Sequence, residues 1–159
     1  MKLKTHSQIS NSHKQSDEPV ALYNTIELHV PDFEKTKDFY TSLGFEVIWE
    51  RNPEGFKGYL ILKLDNNILC FWGGNENIYL HEHFSKFPKD TFRGYGVEIV
   101  HLVKDLDTIY NMALKMDCVV EELKLKPWNV RDFRIVDPWG YYIRFSDYHN
   151  ILSDENAVA

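Results

Sequence analysis

The sequence predicts an α+β fold built from two β-α-β-β-β modules, and three observations lead there. Shifting the chain by 73 residues sets Val30, Asp32, Phe33, Phe39, Leu43 and Val47 against Val103, Asp105, Leu106, Met112, Met116 and Val120, so an Asp and the apolar positions coincide. Each copy holds one stretch with helical spacing of apolar residues, followed by three strand-like runs. The last two runs alternate in parity and flank a turn sequence, Asp137-Pro138-Trp139-Gly140.

In chain order, a strand over about 24–30 meets Asp32, a side chain that can cap a helix, and Phe33, Phe39, Tyr40 and Leu43 follow at helical spacing. Gly44 ends that helix. The runs FEVIWE, GYLILKL and NILCFW are the next three strands. Residues 76–93, within and beyond the polar stretch GGNENIYLHEHFSKFPKD, read as a linker. The second copy repeats the order: a strand over about 96–103, Asp105 as cap, then Leu106, Ile109, Tyr110 and Ala113 on one helix face. Asp117 stands where Gly44 stands, in a position that favours a left-handed residue. CVVEELKL, RDFRIV and YYIRFS complete the module. The modules span about 22–75 and 94–148 of one domain, 21–150, between a disordered leader at 1–20 and a tail at 151–159.

The final turn sets a register. A two-residue loop would place Arg134 opposite Ile143. A type I turn with Pro138 at its second position and Gly140 as a left-handed bulge pairs Ile135 with Ile143 instead, and that loop is the expected one. Arg134 and Arg144 then face each other, which requires a carboxylate or an anionic ligand between them.

Composition narrows the function. With 43% hydrophobic residues the chain can bury a substantial core, and no stretch is long enough for a signal peptide or a membrane span, which predicts a cytoplasmic protein. Cys70 and Cys118 lie in apolar runs and read as buried thiols. A net charge of -6 argues against nucleic-acid binding and is compatible with cationic small molecules. There is no GxSxG nucleophile motif and no glycine-rich phosphate loop. His81 and His83 have a spacing that suits zinc only within a strand, and a surface linker is their expected setting; His29 and His101 read first as structural.

GFEV after a helix containing DFY, the stretch VEIVHLVKDLDTIY, and KPWNVRDFRIVDPWG followed by YYIRF resemble the vicinal oxygen chelate superfamily, in its glyoxalase and bleomycin-resistance branch, over about residues 22–148. The resemblance implies curved mixed sheets enclosing a central pocket, and commonly a homodimer. Its metal-using members hold one divalent cation with His or Glu side chains from the first and last strand of each module. The matching positions are Thr25, Cys70, Glu98 and Arg144, of which only Glu98 is a usual ligand, while a fixed guanidinium repels a metal. No metal and no other cofactor is therefore expected, with Arg144 filling the charge slot and Glu98 holding it.

Strand parity aims Thr25, Glu27, Cys70, Glu98, Arg134, Tyr142 and Arg144 at the concave face, with Trp128 on the loop entering the last hairpin and Trp49 or Trp72 at strand ends. Flat aromatics with a few fixed charges suit a planar organic ligand. The expected function is thus metal-free binding of a small organic molecule, resembling the bleomycin resistance proteins. In the drug-resistance members the resemblance implies sequestration of a cationic glycopeptide antibiotic, whereas two arginines would favour a carboxylate or phosphate. A metal-dependent lyase, isomerase or dioxygenase is the alternative, and an interaction module without small-molecule chemistry is a third reading.

Overall fold

A computed structural model describes residues 26–150. The first module comprises β1 (Glu27–Val30), α1 (Phe33–Ser42), β2 (Glu46–Arg51), β3 (Tyr59–Leu64) and β4 (Asn67–Gly73). The second comprises β5 (Glu98–Val103), α2 (Leu106–Lys115), β6 (Val119–Leu125), β7 (Arg131–Val136) and β8 (Tyr142–Asp147). The sheets have equivalent orders, β1-β4-β3-β2 and β5-β8-β7-β6. In each, the first and last strands are parallel and the other pairs antiparallel, so the sheets are mixed, as the sequence predicts. The leader and tail expected at 1–20 and 151–159 fall outside the described residues.

The matched helix ends follow from matched chemistry. Asp32 Oδ1 accepts from the Lys35 amide at 3.0 Å and Asp105 Oδ1 from the Thr108 amide at 3.1 Å, each satisfying a donor that the helix itself leaves open. Past the helices, Gly44 has φ 90° and Asp117 φ 53°, so the chain turns through the left-handed region at both ends, with glycine in one copy only.

The final hairpin has the expected register, with Ile135 opposite Ile143 and Arg134 opposite Arg144. Gly140 donates to the Asp137 carbonyl at 3.1 Å and Asp137 to the Tyr141 carbonyl at 3.0 Å, around a Gly140 φ of 90°. The turn between β6 and β7 uses the same device. Asn129 donates to the Lys126 carbonyl and Lys126 to the Val130 carbonyl, both at 2.9 Å, with Asn129 at φ 60°.

The modules meet through their helix-bearing sides and share one core. Leu28, Val30, Phe33 and Phe71 of the first module and Val103, Phe133, Ile143 and Phe145 of the second are buried in a single cluster. Phe45 joins the halves, its ring 5.6 Å from His101 and 6.4 Å from Phe145. Polar contacts tie the seam: Tyr40 donates to Asp137 Oδ2 at 2.9 Å, Trp139 Nε1 to Thr36 Oγ1 at 3.0 Å, and Asn67 Nδ2 to the Leu102 carbonyl at 2.9 Å. The opposite sheet faces are thereby left to carry ligand chemistry.

The connector between β4 and β5 has structure of its own. It forms 3-10 turns at Glu76–Leu80 and Phe84–Lys86 and buries Ile78 completely. Among the described residues, no helix is long and apolar enough to cross a membrane.

Candidate ligand-binding faces

The ladders place equivalent rows of side chains on the two outward faces. In the first module Trp49, Ile61, Cys70 and Glu27 stand side by side across β2, β3, β4 and β1. In the second, Glu121, Arg134, Arg144 and Val100 stand across β6, β7, β8 and β5. Cys70 and Arg144 occupy the same slot of their modules. One row is largely apolar and the other charged, so the two faces present different chemistry.

In the second module Arg134 is the hub. Its Nε donates to Glu98 Oε1 at 2.7 Å, and its Nη1 to Glu121 Oε2 at 2.9 Å and Asp132 Oδ1 at 3.0 Å. Lys126 Nζ adds contacts of 3.0 Å to Glu121 and 3.1 Å to Asp132. Hydrogen bonding from Lys126 holds the Glu121 carboxyl below its ordinary value. Burial works against the charged form of Arg134, but the Glu98 hydrogen bond and the Asp132 field prevail and leave its pKa raised. Tyr142 closes the group with a 3.4 Å contact from its hydroxyl to Glu121 Oε1.

This corrects the expected Arg144–Glu98 clamp. Arg144 Nε lies 3.9 Å from Glu98 Oε1, beyond hydrogen-bond reach, and its Nη1 lies 4.0 Å from Asp132 Oδ2. Both Arg144 Nε and Asp132 Oδ2 are buried without a hydrogen bond. The cause is register: the residue beside Arg144 on β5 is Val100, and Glu98 lies beside Tyr142. Arg134, with Glu121 beside it on β6, reaches Glu98 diagonally. The carboxylates that the facing arginines require come from the protein itself. Glu98, Glu121 and Asp132 stand against Arg134, Arg144 and Lys126, with the exposed Lys124 4.0 Å from Glu121, so most of the cationic charge that would have selected an anionic ligand is met within the protein.

Glu121, Asp132 and Lys126 were absent from the sequence-derived set. Asp132 was legible, because it shares parity with Arg134 in RDFRIV. Glu121 was hidden by the irregular pairing of β6, where the register shifts on both sides of it.

The first-module face is aromatic. Trp49 is 48% exposed and edge-on to Tyr59 at 6.1 Å. Trp72 stacks on Phe56 at 5.8 Å with planes 4° apart. Cys70 is buried beside the exposed Glu27, and burial raises the Tyr59 hydroxyl pKa, helped by hydrogen bonding to Cys70 and Glu27. Cys70 and Glu98 also line one cleft of about 420 Å3 between β4 and β5. Trp128 stands 40% exposed at the tip of the β6–β7 turn. Thr25 lies outside the described residues.

A divalent metal does not fit the described slots. An ion at Glu98 would meet Arg134 at 2.7 Å and Arg144 at 3.9 Å from the same carboxylate oxygen, and Cys70 and Arg144 add no oxygen or imidazole donor. Among the described residues, no three His, Cys, Asp or Glu side chains gather as a metal set. His81 and His83 lie in the connector, where the His83 amide donates to His81 Nδ1 at 3.2 Å and both rings pack on Phe84. His101 is buried between Phe45 and Phe145, and burial pulls its pKa to about 4.

The chain belongs to the glyoxalase/bleomycin resistance protein/dioxygenase superfamily, whose model matches residues 22–145. Solved structures agree on the fold. A bleomycin resistance determinant encoded on the transposon Tn5 is similar at 19% identity and TM-score 0.59, over 82% of this chain and all (100%) of that one. A bleomycin-binding protein complexed with bleomycin is similar at 20% identity and TM-score 0.57, over 81% of this chain and 100% of that one. A family enzyme from Burkholderia phytofirmans PsJN is similar at 14% identity and TM-score 0.59, over 77% and 95%. None of the curated proteins matches.

Proposed function

We propose that this protein binds a small organic molecule without a resident metal, holding it against its outward sheet faces where two chains pair as a homodimer. The observation that carries this reading is the Arg134–Glu98 hydrogen bond of 2.7 Å, which commits the one usual metal-ligand side chain among the described slots to a guanidinium. The row of Trp49, Ile61 and Cys70 offers a flat apolar wall, and the row of Glu121, Arg134 and Arg144 offers hydrogen-bonding groups whose charge is largely met by Glu98 and Asp132 beside it. A ligand with a planar aromatic part and a hydrogen-bonding edge suits this pairing. The structures that share the fold include one complexed with bleomycin, which makes that antibiotic a sensible first probe.

Dimerisation is supported by apolar side chains left open on these faces, Trp49 at 48% and Val100 at 40% exposure. Two free thiols, Cys70 and Cys118, suit a reducing compartment, so we place the protein in the cytoplasm.

The test combines three measurements on protein purified without chelator. Elemental analysis after dialysis should find far less than one metal per chain, sedimentation at micromolar concentration should find a dimer, and metal-free bleomycin should change the tryptophan fluorescence saturably. A full equivalent of tightly held metal would instead favour a metal-dependent lyase, isomerase or dioxygenase. A monomer would remove the paired-face site.

A further inference from the structure

The connector over residues 76–95 roofs a pocket of about 350 Å3 against the end of β1, apart from the charged row of the second module. We propose that this pocket is a binding site for a small aromatic monocarboxylate, with Arg93 as its anion anchor.

The walls are aromatic. Tyr79, Phe84, Phe92 and Tyr141 line the cavity, and its volume lies at the small end of ordinary ligand pockets, which suits a single ring with a short side arm. Among the described residues, two strongly polar side chains line it, Arg93 and His29.

The charge balance selects the ligand. The Arg93 guanidinium lies over the Tyr79 ring at 5.2 Å, and no carboxylate among the described residues pairs with it. Lys89 approaches the same ring at 4.7 Å but is already paired with Glu76 at 3.4 Å. Among the described residues the pocket thus holds one planar cation that no carboxylate pairs, which matches a carboxylate ligand in two-point geometry. His29 packs on Phe84 at 4.4 Å, and burial lowers its pKa, so near neutral pH it adds a neutral imidazole and no second positive charge.

The site is anchored to the core. Arg93 donates its backbone N–H to the Trp139 carbonyl at 3.1 Å, and Tyr141 donates its hydroxyl to the His29 carbonyl at 3.1 Å. Gly94 runs so close to the β7–β8 turn that a Cβ there would come within 2.6 Å of Tyr141 Cα and 2.7 Å of the Gly140 carbonyl oxygen. Backbone contact of this kind holds the stem of Arg93 and the aromatic floor in a set relation before any ligand arrives, and the Tyr79 ring lies under the guanidinium. The proposal does not depend on the ligand-binding reading of the sheet faces.

The test uses trans-cinnamate and its uncharged analogue cinnamamide on the full chain, followed by calorimetry and by amide chemical shifts in heteronuclear NMR spectra. Cinnamate should bind with a millimolar or lower dissociation constant and shift amides of residues 79–95 and His29. Cinnamamide should bind about ten-fold more weakly or worse, since a charge-assisted pair is lost. Arg93→Gln should bring cinnamate down to the level of the amide, and Arg93→Lys should restore part of the difference; unchanged dispersion of the remaining spectrum verifies the fold. Equal binding of acid and amide, shifts confined to the Arg134 and Arg144 strands, or no cinnamate binding up to its solubility limit would each overturn the assignment.

Discussion

Arg134 Nε donates to Glu98 Oε1 at 2.7 Å, while Arg144, directly across the hairpin from Arg134, stands 3.9 Å from the same oxygen. The two arginines therefore carry unequal loads. Arg134 joins Glu98, Glu121 and Asp132, and Asp132 is only 1% exposed, so its charge depends on partners supplied by the protein. Arg144 contributes a field at longer range.

Replacing Arg134 with Met should cost about 3 kcal/mol of folding stability, because it strips a buried carboxylate of a direct partner. Arg144→Met should cost about 1 kcal/mol, since no hydrogen bond shorter than the normal limit is broken. Urea unfolding of both variants measures the difference. Equal losses would show that the arginines are interchangeable.

The same geometry predicts how hard it is to install a metal. Arg144→Glu alone adds a carboxylate but leaves Glu98 bound to Arg134. Adding Arg134→Met releases Glu98, so the double variant should bind zinc at least about ten-fold more tightly than Arg144→Glu alone. Competition with a chromophoric chelator reads this directly, on material whose circular dichroism matches the parent. No gain in the double variant would mean that Arg134 is not what blocks the ion.

His101 makes stability depend on pH. Burial lowers its folded-state pKa from 6.5 to about 4, so the folded chain resists the proton that the unfolded chain accepts. The stabilisation is fully present above pH 6.5 and is lost progressively as pH falls toward 4, by about 3 kcal/mol in total. Its Nε2 has no hydrogen bond and its ring lies between Phe45 and Phe145, so His101→Phe should keep the packing and flatten this part of the profile. Urea midpoints between pH 8 and 4 check it, and an unchanged slope in the variant would assign the acid sensitivity elsewhere.

At Asp117, φ 53° places a residue with a Cβ where the first module has Gly44 at φ 90°. Asp117→Gly should raise stability by up to about 1 kcal/mol, and Gly44→Ala should lower it by a similar amount, through the strain of the left-handed conformation. Thermal unfolding of the pair tests both signs.

Much of the architecture was legible because its signals are local. Asp32 and Asp105 cap helices wherever apolar residues follow at helical spacing, and the Pro138-Trp139-Gly140 turn sets its register through the conformations those residues allow. Pro127-Trp128-Asn129 carries the same signal eleven residues earlier in the chain, with Asn129 in the place of Gly140, and could have been read the same way.

The sequence by itself determined the repeat, the order of elements, and which face of β7 and β8 carries the arginines, because alternation along a strand sends every second side chain to one side. Only the tertiary structure decided which arginine takes Glu98. That choice depends on the registers of β5 with β8 and of β6 with β7, and on the diagonal reach of a long side chain across neighbouring strands. It likewise folded the polar connector over the end of β1 and left Arg93 without a carboxylate among the described residues, since charge balance in a pocket is set by which distant segments arrive there.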